Sequence, residues 1–78
     1  MLIERRLNNC LVNHLYVIKR FDHLPIPIRC RLASLGVSEG REIYLTQRRP
    51  IYVISCDYTQ IALDNTLAKA IIVTNKGC

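Results

Sequence analysis

The chain has no tryptophan and a single phenylalanine, Phe21. Its interior must therefore be filled mainly by Ile, Leu and Val. Glycine is scarce: Gly36, Gly40 and Gly77 are too few and too late for a phosphate-cradling loop. No segment approaches the roughly 20 consecutive apolar residues of a membrane span. The opening residues place Glu4, Arg5 and Arg6 before any apolar run, unlike a secretory leader. A cytoplasmic location is the expectation. Paired cysteines are also missing. Cys10, Cys30, Cys56 and Cys78 lie 20, 26 and 22 positions apart. Structural zinc sites usually pair ligands about two to four residues apart. His14 and His23 add no diagnostic spacing. In a reducing compartment the thiols are expected to be free.

Within 78 residues there is room for one core. A chain this short buries only about 60% of the surface it exposes when unfolded, which leaves little material for a deep cleft. Half of the residues are hydrophobic, too many for a disordered chain. The net charge of +5 is spread as doublets such as Arg5-Arg6, Lys19-Arg20 and Arg48-Arg49. It suits a solvated surface, an acidic protein, nucleic acid or an anionic membrane.

The N-terminal residues 1–13 fit either a helical stripe (Leu2, Ile3, Leu7, Leu11, Val12) or an extra strand at 2–7, and are set apart as an extension. Residues 14–21 alternate as a strand, with Val17 taken as inward-facing. Pro25 and Pro27 suit the first turn of a helix. Ile28, Leu32 and Leu35 then give the i, i+4, i+7 stripe of one buried face. Gly36 should end that helix, with Val37 folding back onto its last turn. Gly40 marks a second positive-φ turn. Strands are expected at 41–47, 51–56, 59–63 and 70–74. Asp57-Tyr58 is read as a two-residue hairpin connection. Asp64-Asn65 reads as a helix cap before one turn at 66–69. The predicted core is Val17, Leu32, Leu35, Ile43, Leu45, Val53, Ile61, Leu63, Ile71 and Val73. About five short strands and one short helix imply a mainly β fold, a curled sheet or small barrel.

Catalytic constellations are thin. Cys10 with His14 is the one local thiol–imidazole pair, and no oxyanion-donor signature flanks it. Two binding readings compete. Tyr44, Tyr52 and Tyr58 beside Arg41, Arg48 and Arg49 could stack and hold single-stranded nucleic acid. Alternatively, a groove at residues 47–50 with Tyr52 and Tyr58 could take a protein segment. A metal-responsive module is a further alternative. An exposed strand edge would allow a homodimer.

The stretch Arg31-Leu32-Ala33-Ser34-Leu35-Gly36-Val37-Ser38-Glu39-Gly40 resembles the RL-x-x-LG-[LMV]-x-x-G signature of the FeoA family. The likeness continues through Ile51-Tyr52-Val53, Gln60-Ile61-Ala62-Leu63 and Ala70-Ile71-Ile72-Val73, covering roughly residues 15–74. It implies an SH3-like β-barrel over 14–74, followed by a short tail at 75–78. It also implies a cytoplasmic, non-enzymatic accessory of ferrous iron uptake that binds the FeoB permease and regulates or assembles it. No resident cofactor is implied, and at most a weak, transient Fe2+ contact. The expected partner surface is Arg48, Arg49, Pro50, Tyr52 and Tyr58, with no nucleic acid as partner. Two departures stand out: the loop after the 41–47 strand is cut to Gln47-Arg48-Arg49-Pro50, and Asp64 stands where the family often carries Arg.

Overall fold

In the computed structural model residues 3–75 are described. The likeness to an SH3-like β-rich fold holds, with more elements than expected. Six strands form one antiparallel sheet: β1 (Glu4–Arg6), β2 (His14–Phe21), β3 (Glu42–Gln47), β4 (Tyr52–Cys56), β5 (Thr59–Leu63) and β6 (Ile71–Asn75). Their order is β1-β6-β2-β3-β4-β5. The sheet is not closed into a ring, so β1 and β5 are its two edges. Two helices join it, α1 (Ile26–Ser34) and α2 (Asn65–Ala70), with a 3-10 turn at Leu7–Asn9. No helix among the described residues is long and apolar enough to cross a membrane. The expected strand at 2–7 is β1 where it is described; Leu2 and the tail residues 76–78, with Cys78, lie outside the described residues.

β1 pairs with β6, and Leu7 and Cys10 lie fully buried in the common core. Leu7 and Cys10 thus belong to the same core as the remainder of the chain. β2 pairs with both β3 and β6, and its register with β6 shifts between Ile18 and Arg20. At β6 four consecutive residues, Ile71 to Thr74, are buried, so this strand is covered on both faces.

α1 begins as the prolines direct, with Pro25 at its N-cap and Pro27 inside the first turn. Its end is a Schellman motif. Gly36 takes φ +97° and donates its N–H to Ala33, while Val37 donates to Leu32. Val37 and Leu32 are both buried, so the hydrophobic contact that goes with the motif is present. Gly40, at φ +86°, turns the chain again and donates its N–H to the Ile18 carbonyl. Asp57 takes φ +56° at the first position of the two-residue β4–β5 turn, as that turn requires. Asp64 caps α2, its carboxylate accepting from the Leu67 N–H at 2.8 Å.

Leu32, Ile43, Leu45, Ile61, Leu63, Ile71 and Val73 are buried as predicted. Val17, Val53 and Leu35 are not. In β2 the inward residues are Tyr16 and Ile18. Leu15 and Val17 are as apolar as that pair, so alternation alone does not choose between the faces. The Tyr16 hydroxyl decides it by reaching back to the Leu11 backbone. In β4 the inward residues are Ile54 and Cys56, because Ile54 pairs directly with Ile61 across the hairpin. Leu35 is the helix C-cap and stays 43% exposed.

Candidate functional site

The β3–β4 turn, the start of β4 and the start of α2 enclose a surface groove of about 430 Å³. It is lined by Arg48, Arg49, Pro50, Ile51, Tyr52, Asp64 and Asn65. The turn is held from inside. Gln47 Nε2 donates to the Ile51 carbonyl at 3.3 Å, and Thr46 Oγ1 to the Val53 carbonyl at 3.0 Å. Arg48 Nη2 donates to the Asn8 carbonyl at 2.9 Å, tying the turn to the 3-10 segment. On the far wall, the Tyr52 hydroxyl donates to Asn65 Oδ1 at 3.3 Å.

The two arginines have different work. Arg48 is half-buried and spends its guanidinium on the backbone; its Nε and Asn8 Oδ1 are buried without hydrogen-bond partners. Arg49 and Pro50 are exposed, and no carboxylate pairs with Arg49 among the described residues. Asp64 is the one carboxylate in the groove, and its Oδ1 is engaged as a helix cap. The groove is thus net positive, with an apolar floor at Pro50, Ile51 and the Tyr52 ring. Such a surface offers positive charge beside apolar area.

Four of the sequence-predicted contact residues therefore share one groove. Tyr58 does not join them. It stands fully exposed at the opposite end of the β4–β5 hairpin, with the length of β4, about 13 Å at some 3.3 Å per residue, between it and Tyr52. Ile51, Asp64 and Asn65 complete the groove, and sequence alone did not flag Ile51. The two departures from the family pattern, the short 47–50 loop and Asp64, lie side by side in this groove.

The cysteine chemistry is quiet. Cys10 is fully buried, and its thiol contacts the Arg6 carbonyl at 3.5 Å rather than His14. Burial pushes the Cys10 thiol up from its ordinary pKa, so it stays protonated at neutral pH. Tyr16 is raised likewise, first by burial. The Cys56 thiol donates to the Gly36 carbonyl at 3.1 Å, and Cys30 is exposed. Among the described residues no three His, Cys, Asp or Glu side chains converge where they could hold a metal ion.

The fold and sequence define a small SH3-like module. The FeoA-domain family model matches residues 5–75, and the chain belongs to that family. A FeoA protein from Chlorobium tepidum superposes with a TM-score of 0.85 at 16% identity, over 94% of this chain and 71% of that one. A manganese-dependent transcriptional repressor gives 0.84 at 20% identity, over 96% of this chain. The IdeR protein of T. acidophilum gives 0.84 at 23% identity, over 94% of this chain. The chain spans 43% of the first repressor's length and 34% of the second's. No curated protein matches the sequence.

Proposed function

We propose that this chain is a binding module of ferrous iron uptake that docks on the cytoplasmic side of a FeoB-type permease and performs no chemistry. The family match across residues 5–75 carries this reading. Membership of the FeoA family implies a role in ferrous iron transport, and one solved structure of the same fold is an iron(II) transport protein A from Clostridium thermocellum. The contact is made through the basic groove, with Arg49 as its free charge and Pro50, Ile51 and Tyr52 as its apolar floor. The short 47–50 loop and Asp64 give this surface a shape of its own, so it is matched to its own permease. Docking regulates or assembles the permease.

Co-purification with the full-length permease from the same cell tests the idea. The wild-type chain should be retained, and Arg49→Glu should reduce retention at least about tenfold, the scale of a lost interfacial charge contact. Arg48→Ala is a poor probe, because it also releases the loop from Asn8. If the wild-type chain is not retained, and its deletion leaves ferrous uptake unchanged, the reading fails.

A further inference from the structure

The two edges of the sheet are built differently. β1 is three residues long, and Glu4, Arg5 and Arg6 are all exposed and charged. Arg20 pairs with Glu4, and Arg6 with Asp22, which crowds that edge with fixed charge. This is how proteins blunt an edge. β5 has none of these devices. Thr59-Gln60-Ile61-Ala62-Leu63 holds no charge and no proline. Its register with β4 runs unbroken through five residue pairs.

The two-residue turn fixes which backbone groups β5 leaves free. Cys56 and Thr59 close the turn as a hydrogen-bonded pair, so Ile61 and Leu63 also bond to β4. The N–H and C=O groups of Gln60 and Ala62 therefore point away from the sheet. Beside them lies an apolar groove of about 410 Å³ between β5, α1 and α2. Ile28, Leu35, Ile61 and Leu67 are among its walls, and Leu35 is 43% exposed there.

We propose that β5 pairs antiparallel with β5 of a second copy of this chain, about a two-fold axis through Ile61. That register sets Gln60 of each copy opposite Ala62 of the other and satisfies all four free backbone groups on each strand. Ile61 meets Ile61, and Thr59 meets Leu63. Self-complementarity of this kind is what a two-fold interface needs. Charge argues for the same occupant. Each chain carries +5, yet no charged residue lies among the five strand positions 59–63 that pair. The flanking groove holds one charge of each sign, Arg31 and Asp64, so two copies meet without net repulsion there. The register also brings Tyr58 of one copy beside Asp64 and Asn65 of the other. The fully exposed tyrosine that stands apart from the basic groove in one chain thus reaches its rim in the pair. This inference does not depend on the permease reading, because its test contains no permease.

Sedimentation equilibrium of the wild-type chain should give a mass rising with concentration from 9.0 kDa towards twice that value. The amides of Gln60 and Ala62 should exchange more slowly as concentration rises. Two double variants test the register, with circular dichroism confirming their folds. Gln60→Lys with Ala62→Lys opposes like charges twice and should weaken the pair about tenfold or more. Gln60→Glu with Ala62→Lys opposes unlike charges twice and should keep wild-type association. A wild-type mass fixed at the monomer value overturns the proposal. So does unchanged exchange at Gln60 and Ala62, or equal behaviour of the two double variants. Should the Lys/Lys variant fail to fold, the mass and exchange series decide alone.

Discussion

Gly36 and Gly40 both adopt positive φ, but they do not carry equal weight. A Cβ at Gly36 would sit 3.3 Å from Cys56 Sγ and 3.7 Å from Arg41 Nη2, whereas one at Gly40 meets open space. Gly40→Ala should therefore cost only backbone strain, about 1 kcal/mol. Gly36→Ala adds a tight contact that Cys56 Sγ must ease by a few tenths of an ångström, and should cost more, about 2–3 kcal/mol. Urea unfolding of the two variants reads the difference directly, and equal losses would contradict it. Tyr16 makes a second test. Its hydroxyl accepts the Leu11 N–H at 3.0 Å and donates to the Leu11 carbonyl at 3.3 Å. Tyr16→Phe should cost about 1–3 kcal/mol by stranding that amide. Burial raises both Tyr16 and Cys10 in the folded chain, so folding favours their protonated forms. That contribution is complete below their unfolded pKa values and is lost as pH climbs through the raised folded ones. Stability should hold through neutrality and fall above about pH 8.5, with a shallower fall in Tyr16→Phe. A rise in stability over that range would refute the assignment.

The helix end at Gly36, the hairpin at Asp57-Tyr58 and the cap at Asp64 were all legible, because each rests on a local rule about φ or a side-chain acceptor. Asp64→Ala should cost about 1 kcal/mol through the lost cap. It should also loosen Asn65 and its bond from Tyr52, which far-ultraviolet dichroism and urea unfolding would register together. The inward faces of β2 and β4 were less legible. Both strands are apolar on each side, so period-two patterning is silent. For β4 the information was nonetheless present. A two-residue turn at 57–58 pairs 56 with 59 and so 54 with 61; once Ile61 faces inward, Ile54 must follow. For β2 the deciding contact is Tyr16 with Leu11, a turn geometry that no local pattern encodes. The groove was readable as four residues around one loop. Its far wall at Asp64-Asn65 follows from the same hairpin register, because Leu63 pairs with Tyr52 and the chain enters α2 directly after it.

At the scale of the whole molecule, the N-terminal residues are structural. Leu7 is fully buried among strands far from it in sequence, and β1 supplies one neighbour of β6. Leu7→Ala should cost about 2–5 kcal/mol. Removing residues 1–9 should leave a chain that no longer unfolds cooperatively, which a thermal melt would show. A sharp, wild-type-like transition would mean that β1 and Leu7 are dispensable.

β6 lies between β1 and β2, so the two earliest strands share a neighbour that leaves the ribosome after both. Glu4 pairs with Thr74 and Val17 also pairs with Thr74, while β2 to β5 are joined as successive neighbours. Near pairings close cheaply and distant ones late. During synthesis the β2–β5 meander can assemble while residues 71–75 are still within the tunnel, but its open flank and Leu7 must wait. With a linker long enough to clear the tunnel, a stalled chain cut at Ala70 should thus be degraded quickly by added protease, and one cut after Asn75 should resist. The domain acquires its resistance only when a single five-residue strand arrives to join both ends.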